Sequence, residues 1–507
     1  MFYFLASLLL SHSLGVNARS QPIPIRSTGN PILADGSYFS ADPAPLVVNN
    51  TLYILAGHDA APENENSFII NEWEMFVSTS TPDPAGSEWD FYPGIIQPED
   101  VFAWASPGTA YAAQIVEGPD GRFYLYAPVT EAQSNNADKF AIGVAVADSP
   151  LGPFKDAHAS GPVLSQSKPA PGNDIQNIDP TILVDDDGKI YVYYGTFGDL
   201  RGYQFESDMV TPIGEVTTVS TLTGFFEAPW LMKRNGTYYM LYAANNAGPD
   251  SPCTPTSYHA CIAYGTASSP LGPWTFRGVL LDIVSSTTSH PGAVEFNGSW
   301  FLVYHTADAD TGGNFRRSVA FDEMTFDDAQ TPPGINKVVQ TRRPPRPSRP
   351  TRNVAPLAKA SSANTTPIQY WIAAVNDEKI PSNPLPPEYW SSYADEQSPQ
   401  NSTLTLTWNT TLALNGTRMV FFADQPDGSD IGVPPPASWR MEYLSDSGSW
   451  VAIESTYPTT VTDGPDELGF AQINTKSVRA LIVASGSNGQ FGGVAVKEWE
   501  VFSTTAR

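Results

Sequence analysis

Three acidic residues open similar phrases: Asp42-Pro43-Ala44-Pro45, Asp179-Pro180-Thr181 and Glu227-Ala228-Pro229-Trp230. Each phrase leads into an apolar run, so each acid sits at the start of a candidate strand. Carboxyl groups brought together repel one another when ionised, which raises some of their pKa values and can keep one protonated near neutral pH. A glycosidic bond is cut by such a set, with one protonated carboxyl at the leaving oxygen and one carboxylate facing it. A lone Asp-Pro means less, and Asp83-Pro84 within Thr81-Pro82-Asp83-Pro84-Ala85-Gly86 reads as a turn. The proline after Asp42 and Asp179 is expected to hold each acid's backbone extended and so aim its side chain.

The elements that position these acids form a repeat. Leu46-Val47-Val48, Asn49-Asn50-Thr51 and Leu52-Tyr53-Ile54-Leu55 make a strand, a polar turn and a second strand. The same pattern starts again at 113, 179, 227 and 290, with Asp-Gly or Asn-Gly in each turn, a hairpin signature. Ser149-Pro150-Leu151-Gly152-Pro153 recurs as Ser269-Pro270-Leu271-Gly272-Pro273. Five units with room for about four strands each predict a five-bladed β-propeller. The first strand of each unit would line the axis and its first residue would sit at the channel mouth. Asp42, Asp179 and Glu227 are read as one slot, which His290 and Ala113 fill in the other two units.

The 507 residues exceed one core and carry a formal charge of −26. An acidic surface excludes nucleic acid and anionic membrane as partners. Phe2–Leu10 is an apolar stretch too short to span a bilayer, and Val16-Asn17-Ala18 resembles a cleavage site, so residues 1–18 are expected to be a signal peptide of a secreted protein. Seven sequons, at Asn49, Asn235, Asn297, Asn364, Asn401, Asn409 and Asn415, agree with secretion and glycosylation. In that compartment Cys253 and Cys261 are expected to pair. No His/Cys spacing suggests a metal site.

Residues 29–343 resemble glycoside hydrolase family 43, five-bladed propeller enzymes acting on xylose- and arabinose-containing plant polysaccharides. Ala41-Asp42-Pro43, Ile178-Asp179-Pro180-Thr181 and Phe226-Glu227-Ala228-Pro229-Trp230 carry the resemblance. It implies an inverting mechanism, with Asp42 as general base, Glu227 as general acid and Asp179 orienting the acid and raising its pKa. Related sucrose- and fructan-cleaving propellers have Arg where Ile178 stands, which speaks against them. Arg317 resembles a family arginine that binds sugar hydroxyls and a catalytic carboxylate. His290 resembles a family histidine near the axis, often beside a calcium or a water. His58, Trp73, Trp104 and Phe226 are candidates for the aromatic wall of a sugar pocket. No cofactor is required, and a structural calcium is left open because waters and backbone carbonyls can ligate it.

Thr341–Arg352 is rich in Pro and Arg, so 344–353 reads as a stiff linker lying against the acidic propeller. Residues 354–507 alternate as strands and turns and predict a β-sandwich, more weakly resembling discoidin-like or galactose-binding-like modules. The fold class is thus all-β, a propeller followed by a sandwich. The expected activity is exo-acting release of xylose or arabinofuranose from xylan, arabinoxylan or arabinan fragments, with segments 58–72 and 95–111 walling the pocket. An endo-acting arabinanase and a non-catalytic glycan-binding propeller are the rivals. The sequence sets no oligomeric state.

Overall fold

The computed structural model describes residues 21–503 apart from 28, 85, 245–250, 254–259, 286, 342–351, 395–397 and 488. The expected signal peptide and most of the basic linker lie outside these residues. Among the described residues no helix is long and apolar enough to cross a membrane.

Five antiparallel sheets form the propeller, and from the innermost strand outward the strands follow chain order, apart from one added outer strand in the first sheet. Their innermost strands are Ser40–Val48, Gln114–Glu117, Thr181–Val184, Glu227–Arg234 and Gly292–Phe296. Each inner strand neighbours the next around the ring, and the last neighbours the first. Hairpin turns behave as their residues require. Asn49-Asn50, Asn235-Gly236 and Asn297-Gly298 place both central residues in the left-handed region, which Asn and Gly tolerate best.

Two features exceed the expected pattern. Ile23–Arg26, ahead of residue 29, pairs with Glu88–Ile96 as a fifth, outermost strand of blade 1. Blade 5 has only three strands of its own, ending at Ser318–Met324. The N-terminal segment completes it. The Ile32 amide donates to the Val319 carbonyl at 2.8 Å, and the Asn30 side chain exchanges hydrogen bonds with the Phe321 backbone. Closing the ring thus joins chain segments almost 300 residues apart.

Tyrosines of the second strands fill the gaps between blades. Tyr126, Tyr193, Tyr194, Tyr239, Tyr242 and Tyr304 are all under 2% exposed, so the aromatic surplus is packing. The hydroxyls of Tyr126, Tyr193, Tyr239, Tyr242 and Tyr304 find acceptors, Tyr126 on the Met209 carbonyl and Tyr242 on the Thr223 carbonyl.

The C-terminal domain is a β-sandwich built on two long paired strands, Asn401–Phe421 and Pro465–Val483. Register shifts between Thr407 and Leu412 and between Leu414 and Gly416 interrupt the first strand. Trp390, Trp408, Trp439 and Trp499 share one core there. The last strand, Ala495–Ser503, pairs with Arg352–Asn353, so the last two residues of the expected 344–353 linker belong to this domain's sheet.

Candidate active site

The acids meet at the channel mouth because the backbone is kinked there. Asp42 and Asp179 have φ of 54°, Ala228 of 55° and His290 of 35°. These are left-handed values, not the extended ones expected before proline. Such strain in non-glycine residues is held only where the surroundings over-determine it. The same angles correct the slot. Aligned by proline and by φ, the blade-4 equivalent of Asp42 and Asp179 is Ala228, and Glu227 precedes it by one residue. The pairing of the first two strands also slips there, between Glu227 and Trp230, as it does between Ala41 and Ala44. Glu227 therefore reaches the mouth from a different backbone position than the two aspartates.

Asp42 is nearly buried, and burial alone would raise its pKa. Arg317, His290 and His305 outweigh burial and hold the carboxyl well below the usual range. The Arg317 guanidinium donates to Asp42 Oδ1 at 3.0 Å. Arg317 is itself fixed by Asp59, 2% exposed, which accepts from its Nε at 2.9 Å, its Nη2 at 3.0 Å and its backbone amide at 2.8 Å. This fork-to-fork geometry suits guanidinium and carboxylate and leaves one Arg317 nitrogen for Asp42.

His305 is fully buried, and its Nδ1 accepts the Asp42 backbone N–H at 3.1 Å. Its Nε2 is then the protonated nitrogen and donates to Thr288 Oγ1 at 2.8 Å. His290 Nδ1 lies 3.5 Å from Asp42 Oδ1, and burial pulls its pKa down to about 4, so it too is neutral at pH 7. The side chains grouped around His290 are the Asp42 carboxylate, already engaged by Arg317, the Arg317 guanidinium and the neutral His305 imidazole. Among the described residues no cluster of three or more His, Cys, Asp or Glu side chains is arranged for a metal.

Glu227 has the opposite character. Burial, then the negative charge of Asp42, lifts its carboxyl to about 7, although a 2.8 Å hydrogen bond from Thr196 pulls the other way. Asp179 is raised well above its ordinary value by burial, then by Glu227 and Asp42, while its Oδ2 accepts the Ala228 amide at 3.1 Å. Asp179 and Glu227 are near enough to titrate together, so the pair keeps a proton near neutral pH.

The softer candidates divide. Phe226 adjoins Glu227 and meets Phe197 edge-on at 5.4 Å. His58 is held by Glu72 at 2.7 Å and stacked on Tyr38 at 4.0 Å. The residue of that strand that reaches the site is its neighbour Asp59, on the opposite face. Trp73 is 0% exposed and donates its indole N–H to the Tyr111 carbonyl, so it is core and walls no pocket. Trp104 packs on Phe102 and donates its indole N–H to Asp156 of blade 2, so its polar end is turned to that carboxylate and not to Asp42, Asp179 or Glu227. The sequence reading missed Asp59, His305, Thr196 and three aromatics near the mouth, Phe68, Phe197 and Phe315. Phe197 gave a signal only in the structure, where it is 69% exposed with φ of 53°. Cys253 and Cys261 form the expected disulfide.

The profile of glycosyl hydrolases family 43 matches residues 28–332, more than half of the chain. The chain belongs to glycosyl hydrolases family 43. It is therefore a glycosidase. A xylosidase/arabinosidase of Bacteroides ovatus is 29% identical over 337 residues, covering 58% of this chain and 94% of that protein. Xylosidase/arabinosidase 43A of Humicola insolens is 28% identical, covering 57% and 94%. A solved family-43 arabinoxylan arabinofuranohydrolase of Bacillus subtilis is 21% identical with a TM-score of 0.50, and it covers 94% of this chain and 97% of its own. At that identity the likeness concerns the fold alone.

Proposed function

We propose that this family-43 glycosidase is a secreted, exo-acting, inverting enzyme that releases xylose or arabinofuranose from xylan, arabinoxylan or arabinan fragments of plant cell walls. The supporting observation is the opposed protonation of Asp42 and Glu227 in one pit. Two carboxyls whose environments push their pKa values apart are suited to base and acid roles. Asp42, kept ionised by Arg317, takes a proton from the attacking water. Glu227, kept protonated, delivers its proton to the leaving oxygen. Asp179 orients Glu227 through the Ala228 amide and shares its proton. The proton balance closes when solvent returns one proton to Glu227 and removes one from Asp42. No cofactor enters the scheme.

Similarity to two proteins named xylosidase/arabinosidase supports pentose substrates. The disulfide supports secretion, as do sequons that stand exposed at Asn49, Asn235, Asn297, Asn401 and Asn409. Asn364 and Asn415 are partly covered, and the Asn364 amide is spent on the Asn401 carbonyl. The deciding assay sets nitrophenyl β-xyloside beside nitrophenyl α-arabinofuranoside. Analysis of products from arabinoxylan and arabinan follows. Single pentoses are expected, and a ladder of oligomers would replace the exo reading with an endo one. Proton NMR of the first-formed anomer tests inversion, and retention would sink it.

A further inference from the structure

The C-terminal domain does not hang apart from the catalytic pit. Its segment 379–388 lies against two propeller loops. On the blade-1 loop that follows Thr51–Asp59, Asn66 Nδ2 donates to the Asn383 carbonyl at 2.7 Å. There too, Ser382 and Asn383 donate to the Glu63 and Asn64 carbonyls, each at 3.3 Å. On the blade-5 loop that precedes Ser318–Met324, Glu388 Oε1 accepts the Asn314 amide at 3.1 Å, and Lys379 lies 3.6 Å from Asp308. Gly313 permits this approach, since a Cβ there would stand 2.9 Å from Glu388 Oε1.

These two loops also grip each other. Arg316 donates to the Pro62 carbonyl at 3.3 Å, and the Phe68 and Phe315 rings meet at 4.7 Å. Phe68 lies over the Arg317 guanidinium, 4.9 Å from its carbon, and that guanidinium touches Asp42. Yet Phe68 is 49% exposed, an aromatic face open to solvent beside a catalytic carboxylate. Aromatic faces of this kind stack on the apolar faces of sugar rings.

We infer that segment 379–388 is a positioning element of the sugar pocket, holding Phe68 and Phe315 as a platform beside Arg317 so that the C-terminal domain sets substrate affinity. This rests on the triad being the reacting site. The platform adds binding that is equal in ground and transition states, so its loss raises KM and spares kcat. The test uses the full-length chain with Phe68→Ala, with Asn383→Ala plus Glu388→Ala, and with all three changes. Each of the first two is expected to raise KM about fivefold with kcat within about twofold, the scale of one or two polar contacts. The combined variant should be no worse than Phe68→Ala, because the clamp acts through the ring. A wild-type KM in the clamp variant, or effects that multiply, would overturn the inference. If the clamp variant does not fold, Asn66→Ala removes the propeller's own donor to Asn383, and an unchanged KM there overturns it equally. Calorimetric affinity for xylotriose and arabinotriose reads the same coupling without turnover. Inactivity of the wild type on both glycosides would thus count against the proposed function, and unchanged oligosaccharide affinity in the variants against the platform.

Discussion

Replacing Glu227 by Gln should change stability and rate in opposite directions. The Glu227 carboxyl titrates at about 7 in the folded protein against an ordinary 4.5, a difference worth about 3 kcal/mol at 1.36 kcal/mol per pH unit. Glu227 keeps some exposure, so about 2 kcal/mol is the more realistic size. The sign follows from where the proton is held. Below pH 4.5 the group is protonated folded and unfolded, and it costs nothing. Between 4.5 and 7 only the unfolded chain releases the proton, so stability falls as pH rises. Above 7 the full cost is present. Glutamine cannot ionise and removes that fall. Denaturant midpoints of wild type and Glu227→Gln should therefore agree near pH 4.5, and at pH 8 the variant should be more stable by about 2 kcal/mol. The rate should drop by ~10²–10⁴ on a natural glycoside, the usual contribution of a general acid. The wild-type limb near pH 7 in kcat/KM should vanish with it. Equal pH slopes of stability in the two proteins would refute the raised carboxyl and the acid role built on it.

The pairs around Glu227 and Asp42 give further tests. Asp59→Asn breaks the buried fork on Arg317 and should lower stability by about 3–5 kcal/mol, seen in denaturant titration. It should also loosen Arg317 from Asp42 and lower kcat. Thr196→Val removes a hydrogen bond that lowers the Glu227 pKa, so the alkaline limb should move up by about one pH unit. A downward move would contradict the assignment. Trp73→Ala should destabilise the propeller by about 3–5 kcal/mol, and the protein that stays folded should keep its KM, because this indole is core. Asp42→Ala should keep the fold and lose at least about 100-fold in kcat/KM.

Local chemistry made the repeat legible. Asn-Asn and Asn-Gly turns force left-handed residues, and those turns set hairpin register within a few residues of themselves. Blade number followed, and so did the three acids, since each lies within two residues of the start of an inner strand. Local rules failed at the acids themselves. Pre-proline sterics predict extended aspartates, and the structure holds them left-handed because Arg317, His305 and the Ala228 amide fix them from other blades. The sequence also took Glu227 for the equivalent of the aspartates, although the kink falls on Ala228.

What the tertiary structure alone decided are contacts between distant segments. Arg317 and Asp42 are 275 positions apart, and Arg317 and Asp59 are 258 apart. Period-two alternation allows either His58 or Asp59 to face the pit, and only closure of the ring selects Asp59. Trp73 and Phe68 are both aromatic residues of blade 1 in sequence, but neighbours from other elements bury one and leave the other beside Arg317. The protonation of Asp42 and Glu227 is decided at the same level. A pKa depends on burial and on charges within a few ångströms, and blade closure, not chain order, brings those charges together.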